Sequence, residues 1–496
     1  MTVLPPSSCL VLLALSGCAK RTSDEGRRPI ERAAPPAPAP SVARGTPSRV
    51  GDKPVARGRD LCRGERLPAD QHFVPEGLCA VAVATGQGAL RDIEFTPNGD
   101  LIGVRKNGAV VRYRDINRNG VYDGDGAEIL EWASTGGNGH NCTFADDFLY
   151  CGSKNGVVRF RYGDGNATAG PAEEVVADQP GTGNHPLHSV RAWDGMLYVA
   201  MGSDGNSMAP MPRDYDRDRS VVKRFRIADF ADRRPVSWKD GEVFVTGVRN
   251  ATALGRGPKG RLYAGINNLD DVHYAGVDVH EDNPGELLVS LEKGKRYGYP
   301  FCFHAARIVR DGKVVEPGTP LRASVKKGPL GGMLESTKDD AWCAANADRP
   351  LTFFQAHTSV LDLELVPGTG TGLPPRYAGG LLAALHGSWN RETPTGYKVI
   401  WLPLDADGVP AMPTSTATAT RYPYEVVFGG GKRGAHQDGP WSWRGEQGAE
   451  GMVRPVGLAI SPVDGALYVS SDNAPVGLSL PLGKNEGAVY RIAMER

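Results

Sequence analysis

At 496 residues the chain can bury a large core, either as one big domain or as roughly two to three ordinary ones. Its 57 Lys and Arg balance 57 Asp and Glu; a formal charge of zero argues against nucleic acid or a polyanionic surface as main partner, because phosphate binding draws on excess positive charge. Glycine is abundant at 64 residues, which suits many turns better than long helices, and without a CxxCH sequence no covalently attached c-type haem is implied.

The apolar run "CLVLLALSGC" near the N-terminus is too short to span a bilayer and has the build of a secretion signal. Its end, Leu15-Ser16-Gly17-Cys18, resembles the bacterial lipobox, so residues 1–17 read as a lipoprotein signal peptide and Cys18 as the lipidated thiol. No Lys or Arg precedes the run. The alternative is an ordinary signal with an incidental Cys. Either way the protein is expected to be exported, to the periplasm or the outer cell surface, touching the membrane only through this anchor. Residues 18–61 are rich in Pro, Arg and small side chains and lack apolar periodicity, the composition of a disordered tether.

The folded part is expected over 62–496. With Cys9 in the signal and Cys18 lipidated, six thiols remain: Cys62, Cys79, Cys142, Cys151, Cys302 and Cys343. An even number in an oxidising compartment suggests three disulfides, and pairing neighbours along the chain gives Cys62–Cys79, Cys142–Cys151 and Cys302–Cys343. Zinc is the competing use, but no CxxC pair is present.

One phrase recurs through this region: a turn with Gly or Asp, then a short apolar strand. The copies are "NGDLIGV" (98–104), "DDFLYCG" (146–152), "DGMLYVAMGS" (194–203), "KGRLYAGINN" (259–268), "AGGLLAALHGS" (378–388) and "DGALYVSSDN" (464–473). Such turns supply the positive-φ geometry that a tight hairpin demands. Six copies predict an all-β fold, a six-bladed β-propeller of four-stranded blades. A pair of β-sandwiches is the structural alternative and leaves the repeat unexplained. The longer intervals after the third copy place loops over one face within 269–376.

Between the first two copies, "DINRNGVYDGDG" sets oxygens at Asp115, Asn117, Asn119 and Asp123, with the Val121 carbonyl at the seventh position of an EF-hand-like calcium loop. The closing Glu is missing at Gly126, leaving Asp125 or Glu128 to substitute. A hairpin without metal is the alternative.

Residues just after or before the repeated phrases would converge on the mouth of a propeller channel. They are His188, Arg191, Asp204 and Asn206 around the third copy, and Arg249, Asn250, Asn267, Asn268, Asp270 and Asp271 around the fourth. The fifth ends in "HGSWNR", and Arg454 precedes the sixth. Guanidiniums gathered at one mouth repel unless an anion lies between them or each has a local carboxylate. His140 and His357 suit either buried hydrogen bonding or the substrate mouth.

The stretches "HSVRAWDGMLYVAMGSDGN", "GVRN", "GRLYAGINNLDD", "GKRYGYPFCFH", "LHGSWNRETPTGYKV" and "RPVGLAISPVDGALYVSSDN" resemble the quinoprotein sugar dehydrogenases, in particular the sorbosone and pyranose dehydrogenase-like branch, over roughly 75–496. The resemblance implies a six-bladed propeller binding pyrroloquinoline quinone (PQQ) beside calcium. It assigns Arg249, Arg391 and Arg454 to the three PQQ carboxylates, Asn250 to its ring polar atoms and Trp389 to an apolar wall. By the same resemblance, main-chain carbonyls near Asn268 and Leu269 hold calcium with Asp270 close by, His188 is the general base and Asp204 orients it. Arg191 reads as structural or as a more distant charge.

The expected function is therefore an exported PQQ- and calcium-dependent dehydrogenase oxidising an aldose or related sugar, with an external quinone or cytochrome as electron acceptor. A non-catalytic propeller that binds a glycan or protein partner is the alternative. A lactonase-type hydrolase ranks last, because it needs carboxylates around a central calcium. Cys18→Ser is expected to move the protein from the membrane fraction to the soluble fraction, which detergent phase partitioning measures.

Overall fold

The computed structural model describes residues 60–67, 72–123, 127–137, 140–163, 168–186, 188–206, 218–232, 234–326, 333–392, 395–430, 454–472 and 487–495. Residues 1–17, Cys18 and the tether as far as residue 59 lie outside them. The regular secondary structure of the described residues is almost entirely β-strand.

Each repeated phrase is the second strand of a sheet, running Leu101–Arg105, Phe148–Gly152, Met196–Met201, Leu262–Ile266, Leu381–Leu385 and Leu467–Ser471. It pairs antiparallel with the strand before it: β1 (Leu90–Phe95), β2 (Cys142–Ala145), β3 (His188–Trp193), β4 (Ala251–Arg256), β5 (Val360–Leu365) and β6 (Pro455–Ile460). The hairpin tips have the left-handed geometry the composition demands: Gly99 at φ +92°, Asp146 at +52° and Gly465 at +72°. Two or three further strands complete each of these six sheets, which are antiparallel apart from the short pairing of Val176 and Ala177 with Val236 and Ser237. In the sixth, the N-terminal strand Leu78–Ala84 pairs with the C-terminal strand Ala488–Met494, joining the two ends of the domain.

The strands β1 to β6 touch in sequence, and β6 returns to β1. Their inward edges lack a sheet partner, so their main-chain groups need other ones. Side chains of this inner ring supply them. Asp92 Oδ2 accepts from the Cys142 amide (3.0 Å), Asn141 Oδ1 from Val190 (2.8 Å) and Asp362 Oδ2 from Leu458 (2.8 Å). Ser189 donates to the Thr252 carbonyl (2.7 Å) and Thr252 to Val360 (2.6 Å). At the last junction Gly457 allows direct contact: a Cβ there would lie 2.6 Å from the Ile93 nitrogen. Between sheets, apolar faces interdigitate, as where Tyr198, Phe244, Leu254, Ile266 and Val289 pack together.

All three disulfides form as paired in sequence: Cys62–Cys79, Cys142–Cys151 and Cys302–Cys343. The region 269–376 differs from the expected loops. It carries a small sheet that includes Val272–Tyr274 and Ser324–Lys326, and the helix α1 (Asp340–Asn346). Asp339 caps that helix by accepting from the Trp342 amide, and Cys343 ties it to Cys302.

Arg191 lies in the ring as a structural charge. It reaches Asp362 (3.0 Å), Asp92 (3.6 Å) and the Cys142 carbonyl (2.9 Å). Two residues further along the same strands stand Glu94 and Glu364, which accept from the Phe144 and Ile460 amides. Four carboxyls thus share one guanidinium. Burial, opposed by Arg191, pushes Glu94 up to about 7. Burial, with Asp362 and Glu94 nearby, pushes Glu364 to about 8. Native Glu94 and Glu364 hold protons that the unfolded chain sheds above its ordinary 4.5, so their contribution is fully present below that pH and is lost as pH rises through 7 and 8. Thermal unfolding between pH 4 and 9 should show this decline. Glu94→Gln with Glu364→Gln, which keeps both acceptors without charge, should flatten it and raise the midpoint at pH 8.

Candidate functional site

The strand register decides where the polar residues meet. The starts of the first strands pair with the ends of the second: His188 with Met201, Ala251 with Ile266, Val360 with Leu385 and Pro455 with Ser471. Residues before the one and after the other therefore emerge together. Arg249 and Asn250 meet Asn267–Asp270, Arg454 meets Asp472, and His357 and Ser359 adjoin His386. Of these, Arg249, Asn250, Asn267, Asn268, Asp270 and Arg454 are candidates the repeated phrases nominated.

Asp270 organises the first group and is buried among cations. Its Oδ2 takes Arg249 (2.8 Å), and its Oδ1 takes Asn390 Nδ2 (2.6 Å) and His357 Nδ1 (3.4 Å). Burial alone would raise its pKa, but Arg249 and His357 hold it well below the carboxylate range. Burial likewise disfavours charged His357, yet Asp270 overrides this and lifts its pKa. The other nitrogen, His357 Nε2, meets the His280 carbonyl at 2.6 Å, and the two rings lie 4.1 Å apart. Arg249 also donates to Asn206 Oδ1 (3.0 Å), and Asn206 Oδ1 accepts from the Asp270 amide (2.8 Å).

The loop 268–270 turns its amides inward. Asn268 N donates to Glu286 (2.7 Å) and Leu269 N to Asn268 Oδ1 (3.0 Å). Among the described residues no donor meets the Asn268 or Leu269 carbonyl. Glu286 beneath it is pushed up to about 7 by burial, against the pull of His357 and the Asn268 and Ser359 amides. No three Asp, Glu, His or Cys side chains among the described residues gather as a metal cluster, so a cation here would rest on main-chain oxygens.

The second group is buried between β1, β6 and the ends of two second strands. Arg91 Nη1 meets Asp472 Oδ2 at 2.5 Å, and His386 Nε2 meets Asp472 Oδ1 at 3.0 Å. Arg454 Nη1 donates to His386 Nδ1 (3.2 Å) and to the Gly387 carbonyl (3.1 Å). Its guanidinium also lies 5.2 Å from the centre of the Tyr397 ring. Burial lowers His386 to about 4, against the pull of Asp472. The segment 386–391 spans both groups: His386 and Gly387 hold Arg454, while Asn390 reaches Asp270 and His280.

Arg391 departs from the expected role. Its guanidinium is engaged by Glu281 (3.1 Å) and Asp282 (3.7 Å), the local pairing its charge allowed. Trp389 is 62% exposed. Asp204 is half-exposed and meets Arg219 at 3.7 Å. His188 begins β3, and its side chain lies outside the described residues. A further histidine, His185, stands near Arg249. His185 Nδ1 meets Ser203 Oγ at 2.8 Å, and Ser203 itself donates to the Gly205 carbonyl. This pins the proton on Nδ1 and leaves Nε2 as an acceptor. Burial, then Arg249, lower His185 to about 3. Asn250 Oδ1 and the His185 side chain flank Gly202, where a Cβ would lie 2.7 Å and 2.5 Å from them.

Sequence reading passed over His185, Arg91, His386 and Asp472. Arg91 carried a usable signal, since it stands at a first-strand start. His386 and Asp472 lay inside the quoted motifs but looked like parts of apolar strands. His140, buried, meets the Thr252 carbonyl at 3.0 Å. In the loop near residue 120, Asn119 donates to Asp123 (2.8 Å) and the Gly120 amide to Asp115 (3.1 Å), while Asn117 and Val121 lie in the same turn. Glu128 closes it by accepting from the Ile116 (2.9 Å), Asn117 and Asp123 (both 3.1 Å) amides. Its oxygens are hydrogen-bonded within the loop, and Asp125 and Gly126 lie outside the described residues.

A family model described as TrAA12-like matches residues 73–476. The chain belongs to the TrAA12-like family. Among curated proteins it is 29% identical over 301 residues to a pyrroloquinoline quinone-dependent pyranose dehydrogenase of Coprinopsis cinerea, covering 58% of this chain and 38% of that protein. It is 27% identical over 300 residues to a pyrroloquinoline quinone-dependent sugar dehydrogenase of Hypocrea jecorina, covering 57% and 67%. This chain thus aligns to little over a third of the length of the Coprinopsis relative. Among solved structures, the holo form of the pyranose dehydrogenase PQQ domain from Coprinopsis cinerea superposes with a TM-score of 0.68 at 23% identity, over 87% of this chain and 99% of that one. The calcium structure of the Trichoderma reesei family AA12 enzyme gives 0.68 at 22% identity over the same shares. At these identities the two structures speak to the fold.

Asp270→Ala is expected to strip Arg249 and His357 of their shared carboxylate. Removing one partner of a buried ion pair typically costs about 3–5 kcal/mol, so the urea midpoint should fall accordingly.

Proposed function

We propose that the chain is a six-bladed β-propeller and an exported, lipid-anchored quinoprotein that oxidises an aldose or related sugar with PQQ and calcium. An external quinone or cytochrome would receive the electrons. The observation that carries this is the buried second group. Arg91 and Arg454, from different sheets, are brought together around one carboxylate, Asp472, and a neutral His386. Guanidiniums gathered in this way suit a planar polycarboxylate. The donor set also suits calcium, which takes oxygen ligands, at the Asn268 and Leu269 carbonyls with Asp270 adjoining.

On this proposal Arg91, Arg249 and Arg454 hold carboxylates, and Asn250 offers its amide to the ring. PQQ, when bound, supplies a two-electron acceptor for hydride from the sugar carbon. The chain's own task is to orient the sugar against Trp389 and take the hydroxyl proton. His188 is assigned that proton by resemblance, with Asp204 near the same strand end. His185, kept neutral by its surroundings, stands within the same group and is the second candidate. The pairing of Arg249 and Arg391 with carboxylates of the protein favours the non-catalytic alternative, a propeller that binds a glycan or protein partner.

Titrating the purified domain with PQQ and calcium, followed by dye-linked oxidation of a sugar panel, separates the two. Saturable PQQ binding with turnover is expected; no binding would leave the scaffold alone. His188→Ala is expected to lower kcat by roughly 10²–10⁴-fold with PQQ still bound. If His185→Ala does so instead, the base is His185.

A further inference from the structure

We propose that His185 is a specificity-determining residue whose Nε2 accepts a hydrogen bond from a sugar hydroxyl. The inference rests on the quinoprotein reading and gives His185 a role other than that of base.

Proton counting fixes the polarity of the ring. Ser203 Oγ has one hydrogen, and it goes to the Gly205 carbonyl at 2.7 Å. That oxygen can therefore only accept from the imidazole, whose Nδ1 lies 2.8 Å away. The Ser203 carbonyl, 3.2 Å from the same nitrogen, can likewise only accept. Nδ1 carries the proton, and the lone pair lies on Nε2. Burial and the neighbouring Arg249 guanidinium keep the ring from taking a second proton at neutral pH.

The ring is also held in place. Ser203 is fully buried, and its amide donates to the Arg249 carbonyl at 2.7 Å. The Asn184 amide donates to the Asp204 carbonyl at 2.9 Å, which pins the chain beside His185. Gly202 leaves room for this packing, since a Cβ there would lie 2.5 Å from His185 Cβ and 2.7 Å from Asn250 Oδ1. His185 itself is only partly buried, and among the described residues no donor meets its Nε2. A fixed neutral acceptor selects for a donor. Its lone pair repels a carboxylate, whereas a sugar hydroxyl brings the hydrogen it needs. A nitrogen of such low basicity holds that hydroxyl without removing its proton.

Dye-linked oxidation of D-glucose, D-galactose and D-mannose, each beside its monodeoxy analogues, by the PQQ-loaded protein tests this. His185→Asn keeps a donor for Ser203 but places no atom at the Nε2 position. It is expected to raise KM for the preferred sugar about 3–10-fold, the worth of one neutral hydrogen bond, with kcat falling by no more than about threefold. His185→Gln, whose amide oxygen reaches the Nε2 position, should recover most of that loss. The analogue lacking the partner hydroxyl should show the same KM with the wild type and with His185→Asn. His185→Ala gives the same readings if the asparagine variant does not fold. Independently of turnover, NMR of isotope-labelled histidine should find the proton on Nδ1 and none on Nε2. A proton on Nε2, an unchanged KM in His185→Asn, or a penalty equal for every analogue would overturn the inference. So would a kcat loss of roughly 10²-fold or more, which makes His185 the base. Weaker PQQ binding at unchanged KM would give the lone pair to the quinone's own N–H and overturn it too. PQQ binding by the wild type without oxidation of any of these sugars would overturn this inference alone. Failure to bind PQQ would overturn the quinoprotein reading and this inference with it.

Discussion

The unpaired inner edges of β1 to β6 set the terms for this structure. A sheet edge facing the interior must find hydrogen-bond partners without water, and here side chains of one strand meet main-chain groups of the next. Asp92, Asn141, Ser189, Thr252 and Asp362 do this at successive junctions, and Gly457 closes the last by close approach. The spacing between sheets follows from short polar bonds near the axis, while the apolar faces outside fill the wedges. The site inherits its geometry from that ring, because each functional residue stands within a few positions of a stitched strand.

Keeping charges inside such a ring has an electrostatic consequence. Arg191 serves Asp92 and Asp362, and burial raises the pKa of the two glutamates beyond them above the ordinary carboxylate range. At the mouth the balance reverses. Arg249 is matched by Asp270, whereas Arg91 and Arg454 are served by Asp472 and a neutral imidazole. An acidic interior and a cluster of guanidiniums at one end are both built from the same first and second strands. The difference lies in residue position: the interior charges sit within strands, and the guanidiniums of Arg91, Arg249 and Arg454 come from strand starts or the residues just before them.

Much of this was legible before folding. The Gly or Asp turn followed by "LYV"-like strands marked the six second strands, because left-handed turn geometry admits few residue types. Neighbour pairing of the cysteines held because each pair lies in one hairpin or one insertion. Several residues flanking the phrases come together in space, as Arg249 does with Asp270, since antiparallel register forces strand starts and ends together. Arg391 shows where such reading stops. The motif showed a guanidinium at a loop tip, but Glu281 and Asp282, more than a hundred residues away, set its direction. His386 and Asp472 are similar: each reads as the end of an apolar strand until the other is beside it.

By itself, the sequence determined the all-β class, the sheet repeat, the disulfide pairs and the strand ends where polar chemistry would collect. These follow from short-range rules of turn conformation, alternation and chain proximity. Only the tertiary structure decided which protein carboxylates Arg91, Arg249 and Arg391 meet, and which histidine partners Asp270 and which links Asp472 to Arg454. Charge and hydrogen-bond direction depend on what lies within a few ångströms, and those neighbours come from different sheets.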